Sequence, residues 1–280
     1  MSDKYIIYPH DINGEKIIWS ERKTCFVSEN PQRGKVWTAL RAGRITMSYI
    51  SEIVGRKGKN KLDSKESELL AKIIVGTEKR VEDEKSRRLM DNGNIMESII
   101  RDWLSQREQR KIVEVGLAVW KEDMRFGGSL DGEFIDSSVS LETGSNGEKI
   151  TVTESNEGLE IKAPEYLYTS LIEHVQQLNM GIKMNEGYVG HIFNAHYDQM
   201  IGNGVITGKK YMKYVVASTT NKLSYIERIE VKREHWDNVL YPAAVKFYDE
   251  YIVPELIRSN IKRIDPVSKE TENTIKFPGV

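Results

Sequence analysis

Cysteine is all but missing from this chain. Cys25 stands alone among 280 residues, so no disulfide can close within the chain and no cysteine-rich zinc cluster can form. The five histidines (10, 174, 191, 196 and 235) make no His-x-x-x-His pair, which removes support for zinc hydrolysis. No Gly-x-x-x-x-Gly-Lys-Ser/Thr loop occurs, so ATP-driven translocation is not expected. No apolar run reaches the length a membrane span needs. The opening MSDKYIIYPHDINGEK has no basic stretch leading into an apolar core, so secretion is not expected. A soluble chain in a reducing, intracellular setting is the expectation. Neither sign of charge dominates: the formal net charge is −1 and the pI about 6.6. That is not the footprint of a protein that coats nucleic acid. It leaves open an enzyme that gathers carboxylates in one place and lysines in another.

What is present is ordinary for a folded chain, with 39% hydrophobic and 30% charged residues and enough length for a substantial core. Residues 1–36 are polar and broken by Gly and Pro. Helical spacing runs from Trp37 to Gly55, followed by a basic turn with Arg56, Lys57, Lys59 and Lys61. Further helices are predicted around Ser67–Val75 and Glu78–Met90, and Gly93 opens another in which Ile95, Ile99, Trp103 and Leu104 share a face. The period then changes. Lys111–Trp120 is β-rich, Arg125–Phe134 reads as a turn into a second strand, and Asn146-Gly147 signals a hairpin inserted over about 136–157. A short strand Leu159–Lys162 is stopped by Pro164. Helices follow at Tyr166–Met180 and about Gly190–Gly202, then strands at Lys210–Ser218 and Ser224–Arg233. A last helix runs from about Glu234 to Arg258, where Pro242 should kink it. The tail 261–280 is expected to be loosely held. The order describes a single mixed α/β domain over 1–260, with a central β-sheet flanked by helices.

Three pieces of the middle region carry chemistry. Asp131 lies in Gly128-Ser129-Leu130-Asp131-Gly132, at a strand edge where small residues leave room for an ion. Glu160 and Lys162 flank Ile161; residues two apart in a strand point to one face, so carboxylate and ammonium share a side. Glu97 sits on the preceding helix, one turn before Arg101. Oxygen-ligated divalent cations suit such a set, and phosphodiester hydrolysis needs them. Asp131, Glu160 and the carbonyl of Ile161 would hold the metal, Glu97 would complete or bridge the site, and Lys162 would face the attacking water. Glu-x-Lys by itself is weak: Glu230-Val231-Lys232 repeats it with no Gly-flanked Asp before it, and reads as a solvated strand face.

The set in order resembles the lambda-type (YqaJ-like) viral exonuclease and recombinase family of PD-(D/E)xK nucleases. The matching stretches are Trp37-Thr-Ala-Leu-Arg41-Ala-Gly43-Arg44-Ile45-Thr46-Met47-Ser48, then Gly93 with Glu97, then Ser129-Leu130-Asp131-Gly132. They continue with Leu159-Glu160-Ile161-Lys162-Ala163-Pro164, and with Gln199 followed by Thr207-Gly208-Lys209-Lys210. The likeness covers roughly Trp37 to Ser218, the expected catalytic core. It implies Mg²⁺ or Mn²⁺, two ions, and a catalytic set of Asp131, Glu160, Lys162, Glu97 and Gln199. Arg41, Thr46, Ser48 and Ser129 would bind DNA at a 5′-phosphate, since a guanidinium takes two phosphate oxygens at once. The implied activity is 5′ to 3′ shortening of one strand of linear duplex DNA, exposing 3′ single strand for recombination or repair. Double-stranded DNA ends, a single-strand annealing protein and a ring-shaped homo-oligomer are the implied partners, with no membrane, in a phage- or virus-encoded protein acting in the host cell. Leu130 replaces the family's proline, and Ile201 stands where a second glutamine is common, which leaves that helix's role open. The competing readings are a PD-(D/E)xK endonuclease and a catalytically silent protein that binds DNA ends. The clusters Arg56–Lys61 and Lys209, Lys210 and Lys213 are candidate contacts to the DNA backbone, or simply solvated faces. His196 is expected to be packed.

Overall fold

The computed structural model describes residues 6–56, 61–80, 83–135, 139–143, 149–153, 156–163, 188–189, 192–217 and 224–266. In chain order the principal strands are β1 (Trp19–Glu21), β2 (Cys25–Ser28), β3 (Ile45–Thr46), β4 (Lys111–Val113), β5 (Ala118–Trp120) and β6 (Phe126–Gly128). They continue with β7 (Gly132–Ile135), β8 (Glu157–Lys162), β9 (Tyr211–Ala217) and β10 (Ser224–Glu230). The helices are α1 (Lys35–Arg41), α2 (Met47–Val54), α3 (Ser64–Val75), α4 (Glu84–Glu108), α5 (Asn194–Thr207) and α6 (residues 233–259).

The fold is mixed α/β, but the single central sheet expected from the sequence is accompanied by a second. One five-stranded sheet runs β10-β9-β8-β7-β4, the other β1-β2-β5-β6-β3. The chain passes between them in residues 114–117 and again in residues 129–131. Each sheet has one parallel pair, β8 with β9 and β6 with β3; the other neighbours are antiparallel. Strand β8 is interior to the first sheet and alternates as a strand must. Leu159 and Ile161 pack with Ile100 and Leu104 of α4, Phe134 and Val215. Glu160 and Lys162 therefore face the other side, toward α5. The larger core joins α2, α3, α5 and α6 to the second sheet, and Trp120, Phe126, Trp236 and Tyr241 meet there edge to face or tilted.

Several boundaries differ from the sequence reading, each for a local reason. Trp37–Gly55 is two helices, because Gly43 at φ +70° turns the chain and Ile45–Thr46 pairs with Phe126–Gly127. Gly93 does not open a helix. It lies inside α4, whose start is set by Asp83 accepting from the Ser86 N–H. Residues before 37 hold β1 and β2, short strands with little alternation to announce them. The inserted hairpin is Val139–Thr143 against Lys149–Thr153, while Glu157 already belongs to β8. The expected helix Tyr166–Met180 and the Asn146-Gly147 turn lie outside the described residues.

α6 runs through both Pro242 and Pro254 by widening. Trp236–Leu240 and Tyr248–Ile252 are π-helical, with Tyr241 N–H donating to the Trp236 carbonyl and Val253 N–H to that of Tyr248. The five-residue bond shifts the ladder where a proline offers no N–H and crowds the preceding turn. The tail is corrected as well: Arg263–Ile264 pairs in parallel with Ile6–Ile7, and Arg263, Ile264 and Asp265 are buried. Arg44, fully buried, donates to the Ile264 carbonyl and to Asp265, which also takes both edges of Arg263. Residues 261–266 are thus held by ionic contacts that hydropathy does not register, and 267–280 lie outside the described residues.

Candidate active site

Asp131 sits in the crossing at residues 129–131, at the mouth of β7. Its backbone N–H donates to the Leu159 carbonyl (3.1 Å), and its Oδ2 accepts from the Ile161 N–H (2.7 Å), so the carboxylate is stapled across β8. Arg101 of α4 donates to the Asp131 carbonyl (2.6 Å) and to Glu114 (3.0 Å). Arg101 therefore does not serve as an i,i+4 partner of Glu97. Glu160 is buried, with Lys162 Nζ on its Oε1 at 2.5 Å and Asn203 Nδ2 near its Oε2 at 3.4 Å. Gln199 Oε1 accepts from Lys162 at 3.4 Å. Glu97 lines the same cavity and is held by Arg33 (2.5 Å). The cavity is about 270 Å³.

Burial first, and then the charge of Glu160, pushes the Asp131 carboxyl well above its ordinary range. Burial also raises Glu160, against the pull of Lys162. Burial alone would lower the Lys162 ammonium, but Glu160 and Asp131 outweigh it and hold the group above its ordinary value. The two acids are therefore short of positive charge while the lysine stays protonated.

This donor set suits a hard, oxygen-ligated divalent cation: Glu160, buried, and Asp131, half-buried, both disfavoured in their charged form, with Glu97 alongside. The Asn203 Oδ1, buried and without a hydrogen-bond partner among the described residues, adds an unsatisfied acceptor. Among the described residues no three carboxylate, imidazole or thiolate groups already stand together in coordinating positions. Arg33, Lys162 and the Ile161 N–H occupy those oxygens instead.

The other end of the cavity is built for an anion. The Arg41 guanidinium stacks 4.2 Å over the Trp37 ring and donates to Thr46 Oγ1 (3.0 Å) and Ser48 Oγ (3.3 Å). Trp37 is fixed in turn by its Nε1 on Ser129 Oγ (3.1 Å). Burial lowers the Arg41 pKa, and among the described residues no carboxylate forms an ion pair with it. Every residue expected in the catalytic, metal or 5′-phosphate set thus lines this cavity, save Ile161, whose strand passes beneath it.

Five residues lining the cavity, Gln32, Arg33, Trp37, Met47 and Asn203, were given no role by the sequence. Gln32 Nε2 donates to the carbonyls of Val115 (2.6 Å) and Leu130 (2.9 Å), tying the loop before α1 to the Asp131 segment. Arg33 and Trp37 complete that wall. Asn203 follows Gln199 by one helical turn, a spacing that could have flagged it. It fits only because position 128 is glycine: a Cβ there would lie 2.1 Å from Asn203 Oδ1. Ile201, by contrast, is fully buried in the core, so its position on α5 faces away from the cavity. His196 is packed, meeting Tyr214 Oη at 2.7 Å. The lysine cluster is corrected in part: Lys209 is buried on Glu133, and Lys213 on Glu108 and Glu157, while Lys210 stays exposed. Arg56 is engaged by Asp198 (3.0 Å). Glu230 and Lys232 are exposed, as their lone motif suggested.

No described helix is long and apolar enough to cross a membrane. Among solved structures, an alkaline exonuclease from Laribacter hongkongensis matches with TM-score 0.52 and 17% identity, over 81% of this chain and 98% of that one. The same enzyme in complex with dAMP gives 0.53 and 16%, with the same coverage. A phage-related exonuclease from Haemophilus somnus gives 0.45 and 14%, over 76% and 96%. Comparison with curated proteins gives no match. The YqaJ-like viral recombinase domain matches residues 36–210, which span β3 to β8, α5 and every cavity residue from Trp37 onward. By that match the chain belongs to the YqaJ-like viral recombinase family.

Proposed function

We propose that the protein is a divalent-metal-dependent deoxyribonuclease that degrades one strand of linear duplex DNA from its 5′ end. The observation that carries this reading is the shared cavity: buried Glu160 and half-buried Asp131, mutually repelling, with a protonated lysine at one end, and at the other an arginine that has no acidic partner among the described residues. Two Mg²⁺ or Mn²⁺ ions held by Asp131, Glu160 and the Ile161 carbonyl, with Glu97 adjoining, would supply Lewis-acid charge at the phosphate and acidify a water.

The chain's own groups do the rest. Asp131 and Glu160 are held rigidly by the β8 backbone and by Lys162, so the acceptor oxygens are set before substrate arrives. Lys162 remains an ammonium; it donates to the attacking water or to the charge building on phosphate, and does not remove a proton. Gln199 orients Lys162. Arg41, with Thr46 and Ser48, grips a terminal 5′-phosphate, and stacking on Trp37 keeps the guanidinium flat toward it. A terminal phosphate in that grip sets the scissile bond at the acids, which favours end-dependent cutting.

Digestion of linear duplex labelled on each strand in turn, with and without Mn²⁺, tests the reading. Loss of 5′ label as mononucleotide only with metal, and survival of covalently closed plasmid, is the expected result. Cutting of closed circles would favour an endonuclease; a gel shift without cutting would favour a silent end-binding protein. Lys162→Ala should lower cleavage at least about a hundredfold while leaving the gel shift intact.

A further inference from the structure

Arg33 is the cavity residue with no assigned task, and three observations bear on it. It occupies the left-handed backbone region at φ +64°, which residues with a side chain rarely adopt and which persists where surrounding structure imposes it. The residue before it, Gln32, is anchored by its amide to the carbonyls of Val115 and Leu130, the latter one residue from Asp131. Its guanidinium lies 2.5 Å from Glu97 Oε2, yet its side chain is 42% exposed at the cavity rim, where substrate would enter.

Charge explains the pairing. Three acids, Glu97, Asp131 and Glu160, line the cavity, and among the described residues Lys162 makes a direct ion pair with Glu160 alone. Arg33 supplies the second positive charge, on Glu97. A divalent cation shared by the acids would make that charge surplus. A guanidinium so freed, on a rim already carrying Arg41, has phosphate as its natural ligand.

We propose that Arg33 is a two-position latch. Without metal it neutralises Glu97; with metal it leaves Glu97 and binds an internucleotide phosphate of the substrate strand, so that nucleic acid is gripped only by the metal-loaded enzyme. The proposal rests on the nuclease reading above. It adds a phosphate grip distinct from the terminal phosphate at Arg41.

The test uses the full chain and two variants. Arg33→Gly suits the positive φ and removes the cation without backbone conflict, and Arg33→Lys keeps charge but not the fork. Calorimetric titration with Mn²⁺, without DNA, should show Arg33→Gly binding about three- to fivefold more tightly than wild type, because a screened ion pair no longer competes for Glu97. DNA binding is then followed by anisotropy on 5′-phosphorylated duplex across a salt series, in Ca²⁺ as a non-cleaving cation and in EDTA. In Ca²⁺ the slope of log K against log salt should shrink by about one for Arg33→Gly, as removal of a single cation from the phosphate backbone requires. In EDTA the variant's slope should match that of wild type. Arg33→Lys should keep the slope in both buffers. Unchanged or weaker Mn²⁺ binding in Arg33→Gly, or an equal slope change in both buffers, overturns the latch. If wild type binds and cleaves normally while the variants match it throughout, the latch alone falls. If wild type binds no Mn²⁺, the nuclease reading falls and the latch with it.

Discussion

At the residue scale, Asp131 is held in a form its surroundings disfavour. Its folded pKa is raised above that of the unfolded chain, so its favourable contribution is fully present below the unfolded value and is lost as pH rises toward the folded one. Metal-free Asp131→Asn should therefore be more stable than wild type at neutral pH, by about 1–2 kcal/mol, since the amide oxygen can still accept from the Ile161 N–H. That advantage should fade as pH falls toward about 4, and urea melts across this window measure it. Equal stability at every pH would mean that the carboxyl titrates in the fold as it does in the unfolded chain. Glu160→Gln should gain nothing, because it strands Lys162. Arg41 poses a different question. With Thr46 and Ser48 on the same fork, Arg41→Ala should erase the preference for a 5′-phosphate over a 5′-hydroxyl, lowering cleavage of the phosphorylated end by about 10- to 100-fold. Initial rates on the two ends report it; a preserved preference removes Arg41 from that task.

At the element scale, α5 presents Gln199 and Asn203 to the acids and buries Ile201 on its other side. Restoring glutamine at 201 should not improve the enzyme. Ile201→Gln places an amide in the core and should cost about 2–4 kcal/mol in a denaturant melt, with no gain in rate. The contrast shows what the sequence disclosed. The alternation Leu159-Glu160-Ile161-Lys162 was readable because a strand leaves two residues apart on one face, and that alone placed both charged groups together. Arg41 was readable by resemblance, through the spacing of Trp37, Arg41, Thr46 and Ser48. Asn203 and Arg33 were not. Their roles depend on contacts between segments far apart in sequence, Asn203 with Gly128–Ser129 and Arg33 with Glu97; the one-turn spacing from Gln199 places Asn203 on the right helix face, but no spacing or hydropathy encodes those long-range pairs. The second sheet was missed because its strands are two to four residues long, too short for a period to show. Lys209 and Lys213 looked solvent-facing because charge runs usually are, but Glu133, Glu108 and Glu157 bury them.

At the scale of the whole molecule, the two ends of the described chain are sewn together. Ile6–Ile7 lies beside Arg263–Ile264, over a guanidinium, Arg44, that is fully buried and depends on Asp265. Asp265→Ala should cost about 3–5 kcal/mol, because it leaves both Arg44 and Arg263 without a counter-charge in the interior. A chain ending at residue 260 should melt lower still, whereas one ending at Pro266 keeps every contact of that network. Calorimetric melts of the three forms give the ranking, and equal melting of the 260 and 266 forms would assign the network no part in stability.

The crossing at residues 129–131 gives the molecule one more property. One proposed ligand sits on the bridge between the two β-layers and its mate lies inside one of them, so sliding of layer against layer would pull them apart. An ion seated there would act as a rivet, coupling the melting of both halves into one transition. Scanning calorimetry of protein saturated with Mn²⁺ should sharpen the endotherm and move it upward, by an amount that grows with the logarithm of free metal; the same protein in EDTA should unzip along that seam first.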